Sequence, residues 1–188
     1  MRRLWILLAL TGILADVPAR AASYGQIDPA QSKLTFVSRQ MGVPVNGKFR
    51  RFQGQIAFDP ARPEAGKARI EVDLASIDAG SREADEEVVG KDWFFTKNFP
   101  TAVFEVQRVK PLGNGRYEVQ GSLTLKGRSR AVTAQVNFRE AGGSGIFEGG
   151  FMLKRLDFGI GEGPWGDPGT VADEVQVNWI LNLRTNAK

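Results

Sequence analysis

The sequence contains no cysteine and no histidine. Without cysteine there is no disulfide, no thiol nucleophile and no thiolate metal ligand. Without histidine the common catalytic triads are excluded, as are imidazole-based zinc and haem sites. A catalyst made from this chain would have to work with carboxylates, Lys, Tyr or Ser alone. Stability has to come from an apolar core. No Lys/Arg-rich block occurs, and acidic and basic residues alternate along the chain, which argues against a nucleic-acid partner. Long apolar runs are lacking too, except for Leu4 to Ala15. That run is too short to cross a bilayer comfortably as a permanent helix.

The run follows Met1-Arg2-Arg3 and is followed by Ala19-Arg20-Ala21, the small-x-small pattern a signal peptidase reads. Residues 1–21 are therefore expected to be a cleaved signal peptide, exporting the chain across the inner membrane into the periplasm. No cysteine follows the run, so lipoprotein anchoring is excluded. Removal of residues 1–21 takes away three of the 25 basic and one of the 21 acidic residues, and the remainder carries +2. Residues 22–188 then form one domain, long enough for a core of its own.

What is present is strand material. The chain has 22 Gly and 12 Phe, and β-branched residues recur in alternating runs. Ala68, Ile70, Val72 and Leu74 alternate with Arg69, Glu71 and Asp73, a period of two. The same alternation runs through Leu34 to Ser38, Gly54 to Asp59, Ala102 to Val106, Tyr117 to Leu125, Val132 to Phe138, Phe147 to Leu153 and Val175 to Leu183. Asp59-Pro60, Pro111 to Gly115, Lys126-Gly127 and the glycine-rich Ala141 to Gly145 separate them as turns. Ser81 to Gly90 breaks the pattern. Ser81 can cap a short helix whose early turns hold Glu83, Asp85 and Glu86, and a further turn is expected around Asp92 to Lys97. Trp93, Phe94, Phe95 and Phe99 follow as the densest aromatic cluster.

At least eight strand-like runs, each with one apolar face, need a common solution. One short helix cannot cover an open sheet of that size, and closing the sheet on itself buries the face and removes the edges. A two-sheet sandwich requires similar alternation and stays open at this level.

Several blocks, in order, resemble the YceI-like family of exported proteins. They are Ile27-Asp28-Pro29-Ala30-x-Ser32, Met41-Gly42, Gly47-x-Phe49-x-x-Phe52-x-Gly54, Leu74 to Gly80, Asp92-x-Phe94-Phe95, Asn98-Phe99-Pro100, Gly121-x-Leu123-Thr124-Leu125-x-Gly127 and Arg155 to Ile160. The resemblance covers roughly Tyr24 to Leu183. It implies an all-β fold, an antiparallel, lipocalin-like β-barrel of about eight strands with one short helix near the barrel end. It further implies an elongated apolar cavity for a polyisoprenoid or an isoprenoid quinone. Such a protein acts as carrier or store, needs no cofactor or metal, and is not an enzyme. A membrane quinone-using system as partner and a homodimer are expected on the same ground. Members often carry His where this chain has Gln31 and Gln40, and Gln neither titrates near neutral pH nor serves as an ordinary metal ligand.

On this reading the apolar tunnel is lined by Phe36, Phe49, Phe58, Phe94, Phe104, Phe151, Phe158 and Trp179. Arg39, Gln40, Arg155 and Asp157 are the candidates for a lipid head group: a pyrophosphate suits the guanidinium fork, and a quinone suits a neutral donor such as Gln40. Each has a plainer alternative. The aromatic residues could fill a solid core, and Arg155 with Asp157 could form a structural ion pair. Glu83, Asp85, Glu86 and Glu87 read as a solvated helix face rather than a calcium loop. A catalytic pairing of Asp92 with Asp157, as in a lipid-modifying enzyme, has no support in the sequence. A solid-core envelope stress or structural barrel is the main competing function.

Overall fold

The computed structural model describes residues 23–185, so the expected signal peptide and its cleavage site lie outside the described residues. Eleven strands and one α-helix follow in chain order. They are β1 (Tyr24–Ile27), β2 (Lys33–Gln40), β3 (Val43–Phe49), β4 (Phe52–Phe58), β5 (Lys67–Asp73), β6 (Ile77–Asp78), α1 (Arg82–Val88), β7 (Thr101–Gly113), β8 (Arg116–Leu125), β9 (Arg128–Ala141), β10 (Ser144–Lys154) and β11 (Glu174–Thr185). β1 bonds to β4 on one side and to the end of β11 on the other. The ring then runs β4, β5, β7, β8, β9, β10, β11 and back to β1, an eight-stranded closed barrel with every pairing antiparallel. Closure leaves no apolar face uncovered, and it settles the barrel-or-sandwich alternative in favour of the barrel.

β11 is longer than the strand that closes it. Its residues Gln176 to Ile180 pair with β2 instead. β2 pairs with β3, and β3 reaches β6. The barrel is therefore extended by a leaf of strands at the end where β11 begins. α1 sits at that same end, with Ser81 Oγ accepting from the Ala84 N–H at 3.2 Å as its N-cap. The segment Asp92 to Lys97 forms turns and no helix.

The Asp28-to-Ser32 block turns out to be the seam between β1 and β2. Asp28 N–H donates to Asn182 O at 2.7 Å. Asp28 Oδ2 accepts from Arg184 Nη2 at 2.9 Å, and Ser32 Oγ accepts from Asn182 N at 2.9 Å. These contacts fasten the link between the two strands to β11 at Asn182 and Arg184. The hydrogen bond from Arg184 is the main cause of a lowered Asp28 pKa, which burial opposes. A carboxylate with a lowered folded-state pKa stabilises the fold above its unfolded pKa, and that stabilisation is lost as pH falls through the folded value. Asp28→Asn is accordingly expected to lower stability at pH 7 and to flatten the acid limb of a pH–stability curve below about pH 4. Urea titrations at pH 7 and at pH 3 check this, and an equal loss at both values would count against the seam.

The end opposite α1 is closed by aromatic packing. Phe58, Phe138 and Phe147 meet with centroids 4.8–5.1 Å apart, and Tyr117 adds an edge contact to Phe58 at 5.5 Å. These distances fall in the favourable range for offset and edge-on rings. Tyr24 packs on Phe138 at 5.4 Å. Its phenol is pushed up to about 12, first by burial and then by its hydrogen bond to Glu140, so it is neutral throughout the physiological range.

Candidate functional site

Between the aromatic plug and α1 the barrel is hollow, with an apolar cavity of about 600 Å³. This lies within the usual range for small-ligand sites. Its length follows from strand geometry. Tyr117 and Leu125 both line it, eight residues apart on β8, which at ~3.3 Å per residue and ~40° of strand tilt gives a lumen on the order of 20 Å long.

The wall is hollow because its large rings lie flat. Phe36 stands opposite Gly47, and Trp179 opposite Gly149. A Cβ at Gly149 would lie 2.7 Å from Trp179 Cζ2 and one at Gly47 would collide with the tip of Phe36. With hydrogen in place of Cβ, each ring rests on the neighbouring strand instead of crossing the lumen.

The structure brings Phe36, Phe49, Phe94, Phe104, Phe151 and Trp179 onto this wall. Contacts link them: Phe36 to Phe49 at 5.8 Å, Phe49 to Phe94 at 6.2 Å, Phe104 to Phe151 at 6.2 Å and Phe151 to Trp179 at 5.8 Å. Phe58 touches the cavity but belongs to the plug at its floor. Phe158 does not line the cavity. It is 2% exposed and packs with Leu74, Leu125 and Ile160, because the 3-10 turn Arg155–Phe158 ends strand alternation and turns the ring into the core. Of the aromatic cluster, Phe94 and Trp93 face the cavity, while Phe95 and Phe99 pair with each other outside it.

The head-group candidates separate. Gln40 lies at the cavity mouth. Arg39, the next residue on an alternating strand, faces outward and donates to Gly42 O at 3.3 Å. Asp157 is exposed and away from the cavity. Arg155 reaches the lining, but its guanidinium is fully occupied. Nε donates to Ala172 O at 3.1 Å, Nη1 to Ile160 O at 2.8 Å and Gly161 O at 2.7 Å, and Nη2 to Trp165 O at 2.7 Å and Val171 O at 2.6 Å. A guanidinium has five N–H groups, and all five are spent on backbone carbonyls. Arg155 therefore organises the loop from Ile160 to Ala172 and holds no phosphate. Among the described residues it makes no ion pair with Asp157. Burial pushes its pKa down, and the charge of Asp173 acts the other way.

Other mouth residues escaped the sequence reading. Ala84 and Val88 turn from α1 toward the lumen, flanked by Glu83 and Glu87. Trp165, from the loop that Arg155 holds, donates from Nε1 to Glu87 Oε1 at 2.8 Å and packs on Trp93 at 5.7 Å. One hydrogen bond thus ties the loop to the helix across the opening. The i, i+4 spacing of Ala84 with Val88 and of Glu83 with Glu87 was the available signal, masked by the acidity of the segment. No group of three or more acidic side chains placed to hold a metal occurs among the described residues.

Comparison with known proteins agrees with this architecture. The model of the YceI-like domain matches residues 26–183. A UPF0312 protein of Azotobacter vinelandii is 34% identical over 137 residues, covering 70% of this chain and 69% of its own. One from Vibrio cholerae is 31% identical over 171 residues, covering 85% and 89%. The crystal structure of Burkholderia cenocepacia BcnA superposes with a TM-score of 0.81 at 41% identity, over 83% of this chain and 98% of that one. A polyisoprenoid binding domain from Saccharophagus degradans, implicated in plant cell wall breakdown, superposes with a TM-score of 0.70 at 20% identity, over 86% and 98%, a likeness of fold. A closed eight-stranded barrel, the ordered sequence blocks and a family match across nearly all the described residues lead to one conclusion: the chain belongs to the YceI-like domain family.

Proposed function

We propose that this protein is a non-enzymatic carrier or store for a single long-chain isoprenoid lipid, which it holds in the barrel lumen in the periplasm. The observation that carries the reading is the cavity, apolar along its length and about 600 Å³ in volume. A solid structural barrel would fill that space with side chains. Leaving it unpacked forfeits dispersion contacts on the order of 10 kcal/mol at ~24 cal/mol per Å³, comparable to the whole stability of a domain. An occupant restores those contacts. The polyisoprenoid-binding name of the Saccharophagus relative supports the same ligand class. The absence of His and Cys supports binding without turnover.

The occupant normally lives in a membrane, so the ~0.8 kcal/mol per buried CH₂ that drives it out of water largely cancels on transfer from a bilayer. Affinity has to come from shape. Delipidated protein titrated with polyprenols of increasing length is therefore expected to bind more tightly with each isoprene unit until the lumen is full, then to level off at one chain per barrel. Affinity independent of chain length, or several chains per barrel, would contradict the reading.

A further inference from the structure

The polar side chains at the cavity mouth with hydrogen-bonding capacity to spare are anionic or neutral. Glu83 and Glu87, one turn apart, stand along one side of the Ala84–Val88 face of α1, and Ser38 and Gln40 enter from β2. Apart from the bond that Glu87 accepts from Trp165, the side chains of these four make no hydrogen bond or ion pair among the described residues. Among the described residues, two cationic side chains line the cavity, Lys67 and Arg155. Arg155 has no N–H to spare. Lys67 begins β5 opposite Ala57, beside the aromatic plug, and the strand runs seven residues from there toward α1. That places it on the order of 20 Å from the mouth. Arg39 is near the mouth but points outward.

A head group held at this mouth meets two carboxylates, an amide and a hydroxyl, next to low-dielectric walls that strengthen charge interactions. A phosphate monoester brings a charge of about −1.5 to −2 and, among the described residues that line the cavity, finds no free guanidinium or ammonium at this end. A hydroxyl, carbonyl or amine finds partners. Resting on the carrier reading, we propose that the mouth selects lipids by head-group charge, admitting an apolar chain that ends in a neutral or cationic group and refusing one that ends in phosphate. Glu83 and Glu87 are the specificity-determining residues.

The test uses delipidated mature protein and three ligands of one chain length: a polyprenol, the matching amine and the matching monophosphate. Each competes against an uncharged fluorescent apolar probe. The monophosphate is expected to bind at least tenfold more weakly than the alcohol, with the gap shrinking at high salt. In the Glu83→Gln/Glu87→Gln double variant, where Gln still offers Trp165 an acceptor, the ratio is expected to fall to about threefold or less. A monophosphate that binds as tightly as the alcohol, or a ratio the double variant leaves unchanged, overturns the selection while the carrier reading stands. If none of the three displaces the probe, the carrier reading falls and the selection with it.

Discussion

Replacing Arg155 with lysine is expected to lower the melting temperature by about 6–12 °C. Lysine keeps the charge but offers three donors at a single point, where the guanidinium spreads five over a rigid plane. At least two of the five carbonyls that Arg155 serves lose their partner. Each buried acceptor left unsatisfied costs about 1–3 kcal/mol, so the loss is about 3 kcal/mol. For a domain of this size that corresponds to the stated shift, at ~2–4 °C per kcal/mol. The stacking of the guanidinium carbon 5.7 Å over Trp93 is lost as well. The damage is directional, because Arg155 holds the loop that carries Trp165 to Glu87. Limited proteolysis is therefore expected to cut the variant first between Ile160 and Ala172. A near-native melting temperature would show that the carbonyls find water instead, and that Arg155 is free enough to serve a ligand after all.

The second large effect is on binding with little effect on stability. Phe104 and Phe151 face each other with rings 24° apart and centroids 6.2 Å apart, across a lumen that has room beside them. Changing both to tryptophan adds ring volume to that space. In a packed core such enlargement destabilises by about 1–3 kcal/mol per site. In a hollow barrel the new rings fill the cavity, and the fold is expected to stay within about 1 kcal/mol of the parent. Lipid uptake, by contrast, is expected to fall at least tenfold. Equilibrium unfolding and probe binding on the same sample separate the cases: instability without a change in uptake would mean the cavity is not the binding site.

Much of this architecture is legible in the chain. Period-two alternation marks the wall strands β4, β5, β8, β9, β10 and β11, since each is wet on one side and apolar on the other. β3 escapes because Pro44 and Gly47 interrupt any alternation across Val43 to Phe49. In the structure Pro44 lies on a stretch of β3 that only β2 pairs, so its missing N–H leaves no ladder bond unmade, and Gly47 makes room for Phe36. β7 runs past Pro111 for the same reason: β5 pairs only Thr101 to Glu105, so that side of the strand is free at Pro111.

The site is less legible, and the reason is specific. Alternation finds which residues face inward, and through it Phe36, Phe104, Phe151 and Trp179 are read as cavity-facing. It cannot say which inward residues meet a void and which meet each other, so Phe58 in the plug and Phe158 in the core looked equivalent to Phe104. Head-group reasoning went astray at Arg155 because a residue type announces what it can bond and not what it already bonds. Five backbone carbonyls brought together by a loop are invisible in a list of side chains. Glu83 and Glu87 looked solvated, and they are exposed; what the sequence hid is that the solvent they face stands at the mouth of the lumen.

The most direct test is mass spectrometry of protein isolated from the cells that make it, once under native conditions and once after organic extraction. The account predicts one stoichiometric adduct per chain that extraction removes and that proves to be a polyprenyl species without phosphate. A bare protein that also refuses added isoprenoids would contradict it.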